Sequence, residues 1–203
     1  SEVIQEGPFL YCANKDKCAP RLISEIVHFA SKPCMDIEGL SEKTVEQLYN
    51  ELGVDTPDKL YTLTKEQLLT LEGFKDKKAQ NLLDAINNSR LTTLDRFIFA
   101  LGIPGIGKKA AKQLAQKFKT LDNVMAATAE QIIEIDDFGS VMTDNTVNFF
   151  ADQNNRLLIK SLLDKGIAFE KEEEPKEGVL SGRVVVLTGS LRNYKRSQAA
   201  EII

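Results

Sequence analysis

The chain has 203 residues, 42% of them hydrophobic, and a formal net charge of −4 with a pI near 5.2. That leaves room for one large or two small packed domains, and it argues against a surface wrapped throughout by a polyanion while leaving a local basic site open. An odd cysteine count of three argues against a disulfide framework, no apolar run approaches the ~20 residues of a bilayer span, and the N-terminus SEVIQEGPFLY lacks leader character, so a cytosolic (cytoplasmic) protein is the expectation.

Residues 1–21 hold Cys12 and Cys18 in CANKDKCAP. Two cysteines in a short polar loop are half of a tetrahedral zinc site. Their spacing of five intervening residues exceeds the usual two to four, so a pair of unbonded thiols stays open as the alternative. Over 22–30 the spacing of Leu22, Ile26, Val27, Phe29 and Ala30 predicts a helix with one apolar side. His28 lies in that run and Cys34 stands apart, so His28 is expected to pack or cap rather than bind a metal.

An internal repeat follows. Gly39, Gly73, Gly105 and Asp137 align at periods of 34, 32 and 32 residues. Two positions before each stand Ile37, Leu71, Ile103 and Ile135; one after stand Leu40, Phe74, Ile106 and Phe138. At offsets of six, nine, ten and thirteen the residues are mostly apolar, from Val45, Leu48, Tyr49 and Leu52 in the first unit to Thr143, Thr146, Val147 and Phe150 in the fourth. These offsets trace one face of a helix. A helix is also expected before each turn. Thr64–Gln67 and Thr128–Gln131 have the capping-box form, a threonine followed three residues later by glutamine. Each unit reads as helix, tight hairpin, helix, with stretches such as 53–57 and 87–89 as connectors.

The four turns differ in chemistry. The third, Gly105-Ile106-Gly107, is followed by Lys108, Lys109 and Lys112, and 101–119 contains no acid. Glycines leave the backbone N–H groups uncovered, and a helix that starts there adds the positive end of its dipole, so the turn predicts an anion cradle. Valine at Gly105 or Gly107 is expected to block the turn. The second, Gly73-Phe74-Lys75, keeps Lys77 and Lys78; the first, Gly39-Leu40-Ser41, has Lys43. The fourth, Asp137-Phe138-Gly139, lies in 130–144, which carries five acids and no base, and is expected to be structural.

From Glu170 the composition changes. Residues 170–178 read as a charged linker with Pro175 and Gly178. Val184–Thr188 predicts a β-strand ended by Gly189, and a helix is expected from Ser197. A strand and a partial helix are too little for an independent core, so the C-terminus reads as truncated.

The repeated hairpin resembles the helix-hairpin-helix motif, which implies contact with the DNA phosphate backbone without sequence readout. MDIEGLSEKTVEQL at 35–48, LEGFKDKKAQNLLDAI at 71–86, FALGIPGIGKKAAKQLA at 99–115 and NFFADQNNRLLIKSLLDKGI at 148–167 are similar to the C-terminal part of bacterial NAD-dependent DNA ligases. CANKDKCAP resembles the second cysteine pair of that family's four-cysteine zinc finger, and LSGRVVVLTGSL the opening of its BRCT domain.

The resemblance implies a mainly α fold of four tandem helix-hairpin-helix repeats over 22–169. It further implies a partial zinc finger at 1–21, with Cys12 and Cys18 as half the ligands, and a truncated α/β BRCT start at 179–203, with Thr188 and Gly189 in an anion pocket. Nicked duplex DNA and the rest of a ligase chain are the implied partners. NAD and magnesium would bind a nucleotidyltransferase domain outside this sequence, which has no Lys-x-Asp-Gly motif, so this chain alone is expected to be inactive. A stand-alone helix-hairpin-helix repair module and a protein-binding scaffold are the competing readings.

Overall fold

The computed structural model describes residues 3–6, 9–12 and 18–170. The linker beyond Glu170, the expected strand at 184–188, and Thr188 and Gly189 with it, lie outside the described residues. So do the side chains of residues 1–17.

Strands β1 (Val3–Glu6) and β2 (Phe9–Cys12) pair antiparallel, with Val3 opposite Cys12. Cys12 therefore ends a strand rather than sitting in a loop. Cys18 is the N-cap of α1 (Ala19–Ala30), whose first turn holds Pro20. Proline suits that place because its missing N–H would have had no partner inside the helix.

Four helix pairs follow from four repeated sequence blocks. Helix α1 and α2 (Glu42–Leu52) flank the first hairpin, and α3 (Lys65–Leu69) and α4 (Asp76–Asn88) the second. After β3 (Leu91–Thr92), α5 (Leu94–Ala100) and α6 (Lys108–Phe118) flank the third. Helix α7 (Leu121–Ala126) then leads to α8 (Ala129–Ile133) and α9 (Ser140–Ala151) around the fourth. Both capping boxes form: Thr64 accepts from the Gln67 N–H and Thr128 from the Gln131 N–H, and each glutamine side chain bonds back to its threonine N–H.

The predicted apolar faces are the buried ones. Val45 and Leu48, Ala79 and Leu82, Ala111 and Leu114, and Thr143, Thr146 and Phe150 all join the core. His28 packs as expected. Its Nε2 lies 2.8 Å from the Phe99 carbonyl and 3.7 Å from Cys34 Sγ, tying α1 to α5. The Cys34 contact raises its pKa, burial opposes that rise, and the Phe99 carbonyl adds to it.

The connectors hold more structure than their composition suggested. Pro57–Thr62 forms a 3-10 helix, α4 continues through Asn87 and Asn88, and α7 occupies the third link. Helix α10 (Gln153–Asp164) packs on α9 and on the 3-10 helix, and β4 (Ala168–Phe169) returns to pair in parallel with β3. None of the described helices is long and apolar enough to cross a membrane.

Candidate nucleic-acid interface

Three of the four hairpins are β-turns closed by a backbone bond from residue i+3 to residue i. Phe74 N–H donates to the Leu71 carbonyl, Ile106 N–H to Ile103 and Phe138 N–H to Ile135, at 3.0–3.1 Å. The third residue of each turn has positive φ: Gly73 at 76°, Gly105 at 79° and Asp137 at 67°. The second residue (Glu72, Pro104, Asp136) does not, which makes these type II turns. Gly39 shares the conformation at φ 90° and residues 38–39 also form a turn, but the Leu40 N–H lacks the well-aligned closing bond of the other three. The alignment of Asp137 with three glycines is therefore a true backbone equivalence.

Leu40, Phe74 and Ile106 belonged to the predicted site, and their positions correct part of it. All three side chains are buried. The Phe74 and Ile106 N–H groups are also spent in closing the turns. These side chains anchor the hairpins to the core, with Phe74 also lining the groove between the first two hairpins. The exposed groups of the third hairpin are instead the N–H groups of Gly105, Gly107, Lys108 and Lys109, which have no acceptor among the described residues.

The helix that leaves the third hairpin is bare at its N-terminus. Gly107 is its N-cap, no side chain caps it, and its first turn holds no acid. Such a turn presents orphan N–H donors and the positive end of the helix dipole. Gly107 itself has φ −84°, and a Cβ there would meet nothing within 4 Å. Valine at Gly107 would thus not block the turn, contrary to expectation; it would cover the N–H groups. Helix α9 starts the same way on Gly139. Helix α4 is also uncapped but carries Asp76 in its first turn, while in α2 the Ser41 Oγ takes the Thr44 N–H and Glu42 occupies the first turn. The two earlier hairpins are thus less open to an anion.

The lysines divide into engaged and unengaged. Lys108 and Lys112 are exposed and make no hydrogen bond or ion pair among the described residues, as do Lys43, Lys75 and Lys77. Lys78 sits over the Phe74 ring at 3.9 Å. Lys109 donates to Asp137 Oδ2 at 2.5 Å. That contact raises the lysine's pKa and lowers the aspartate's, so the charge of Asp137 is met by a neighbour from the third hairpin. Lys117 is held by the Gln131 carbonyl and Glu134.

A second regularity is absent from the predicted site. Eight residues after each hairpin's positive-φ residue stands a carboxamide: Gln47, Asn81, Gln113 and Asn145. Gln47 donates to the Glu72 carbonyl, Gln113 to Asp136 and Asn145 to Pro104, each at 3.0 Å. Hairpins one and two are thus joined as a pair, and hairpins three and four as another, the latter by reciprocal bonds. Offset eight was readable in the repeat, but polar residues carry no weight in a search for apolar periodicity. Between the first two hairpins lies a groove of about 760 Å³. It is lined by Gly39, Gly73 and Lys75, Lys77 and Lys78, with Asp36, Glu38 and Asp84 opposing that charge.

Cys18 is partly exposed and carries no disulfide. Among the described residues no three His, Cys, Asp or Glu side chains converge as a metal site.

Comparison with known proteins divides the chain in the same way. A family described as "SAM-like Helix-hairpin-helix tandem" matches residues 33–88, the first pair, and one described as "Helix-hairpin-helix motif" matches 96–159, the second. Proteins named DNA ligase from Clostridium novyi (strain NT) and Finegoldia magna are each 45% identical over 99% of this chain. A protein named DNA ligase 2 from Clostridium acetobutylicum is 41% identical over the same share. The chain spans about 30% of the length of each of these relatives. It corresponds to the helix-hairpin-helix region of bacterial DNA ligases.

Proposed function

We propose, on the strength of that correspondence, that this chain is the part of a bacterial NAD-dependent DNA ligase that holds duplex DNA by its phosphate backbone, so that a separate adenylation domain can seal a nick during replication and repair in the cytoplasm. NAD and magnesium would serve that domain. Zinc would need ligands beyond Cys12 and Cys18. The third hairpin is the leading contact, with Lys75, Lys77 and Lys78 of the second and Lys43 of the first in support. One observation carries this reading: α6 begins on an uncapped, acid-free turn whose free N–H groups lie beside Lys108 and Lys112, both unpaired. Contacts of this kind position a protein on DNA and do not read sequence.

The test uses Gly107, whose backbone conformation any residue adopts. Gly107→Ala is expected to leave the thermal midpoint unchanged and to weaken binding to nicked duplex DNA several-fold, since the methyl group keeps phosphate from the N–H groups. Wild-type affinity should fall about 10-fold or more between ~50 and ~200 mM salt, because each phosphate neutralised contributes ~0.9 to the logarithmic slope. Salt-independent binding, or a Gly107→Ala variant that binds as wild type does, would defeat the reading.

A further inference from the structure

We propose that Asn145 is a positioning residue for the third hairpin, and that the fourth unit serves as the frame of the third cradle rather than as a fourth cradle. The proposal rests on the reading of the third hairpin as a phosphate holder.

Types I and II β-turns differ by a flip of the central peptide, the one between the second and third residues. In the third hairpin that peptide joins Pro104 to Gly105. Its carbonyl accepts the Asn145 Nδ2 bond at 3.0 Å. In a trans peptide the carbonyl and the following N–H point in opposite directions. Holding the Pro104 carbonyl against α9 therefore aims the Gly105 N–H away from α9, towards the open side. Glycine alone does not secure this, because it adopts either sign of φ with similar ease.

The molecule contains its own control. Gln47 and Gln113 hold the equivalent central carbonyls of Glu72 and Asp136, and both of those turns carry the closing bond, as does the third. In the first hairpin Asn81 makes no bond to the Glu38 carbonyl, and there the Leu40 N–H falls outside the geometry of a well-aligned closing bond. Residues 38–39 still form a turn, so the unclamped first hairpin keeps its turn and lacks only the well-aligned closing bond that the three clamped hairpins share. The rest of the fourth unit faces the third hairpin in the same sense. Asn145 Nδ2 and Met142 Cγ lie 3.6 Å from where a Gly105 Cβ would be, and Asp137 takes Lys109. At the position that is Lys43, Lys77 and Lys109 in the other units, the fourth has the exposed Val141.

Asn145→Leu keeps the side-chain volume and removes the donor. It should weaken binding of the full chain to duplex DNA by about three- to tenfold, the worth of roughly one hydrogen bond. The urea midpoint should hold steady, while the Gly105 amide and α-proton NMR resonances move. Asn145→Ala, which cannot overpack Met142, must show the same pattern. Asn145→Gln should recover most of the affinity, since glutamine does this work in the first and third units. If wild type binds and Gly107→Ala weakens it, yet Asn145→Leu and Asn145→Ala bind as wild type does, the positioning role is overturned and the phosphate reading stands. If wild type does not bind duplex DNA at all, both fall.

Discussion

At the scale of single residues, the informative position is the one where the repeat breaks its own rule. Asp137 stands where three glycines stand and is held at φ 67° by the same turn. Aspartate tolerates the left-handed region better than most residues but still at some cost. Asp137→Gly should therefore raise stability, read as a higher urea midpoint. It should also tighten DNA binding, because it removes a carboxylate and frees Lys109 from the contact it makes now. The exposed ion pair that is lost contributes little to stability. A destabilised variant would mean that the Lys109 contact, rather than the turn, sets the hairpin. The sequence showed that Asp137 aligns with glycines, since apolar neighbours on both sides fixed the register. It did not show that Lys109 reaches across to it, because 28 residues separate the two.

At the scale of the helix pair, the apolar offsets predicted which face of each second helix would be buried, and that face is the buried one in all four units. The capping boxes were equally legible, because both partners lie within one turn of chain. The short helices in the connectors were not. They have too few residues for a period to emerge, and tertiary packing decides them. The fourth unit is the weakest match to the apolar pattern, and the structure shows a consequence. Thr143 is 2% exposed and its hydroxyl has no hydrogen-bond partner. Leaving a buried hydroxyl unpaired costs about 1–3 kcal/mol. Thr143→Val has nearly the same shape and is the residue the first unit uses at this offset, Val45. The substitution should stabilise the chain by about 1 kcal/mol, read as a higher urea midpoint at unchanged slope. A lower midpoint would show that the hydroxyl is satisfied in solution.

At the scale of the whole described unit, the two hairpin pairs are closed by contacts that local sequence cannot announce. Strand β4 reaches back to β3, with Ala168 N–H donating to the Arg90 carbonyl and Glu170 N–H to Thr92. Helix α10 is fastened to the 3-10 helix through Asp58. The Asp58 carboxylate accepts from Thr56 Oγ1 and Ser161 Oγ at 2.6 Å and from Lys165 Nζ at 3.2 Å. Burial alone would raise its pKa. The bonds from Ser161, Thr56 and Lys165 together outweigh burial and hold it below the ordinary carboxylate value. A carboxyl with a depressed folded-state pKa contributes stability in full above its unfolded pKa of ~3.9. That contribution declines as the pH falls through the folded-state value, where the folded carboxyl takes up its proton. Asp58→Asn should therefore cost about 1–3 kcal/mol near neutral pH, and the gap from wild type should narrow steadily below pH ~4. Urea denaturation of both proteins across that range tests the argument. A gap that stays constant into acid would mean that Asp58 joins the two ends of the unit by shape and not by charge.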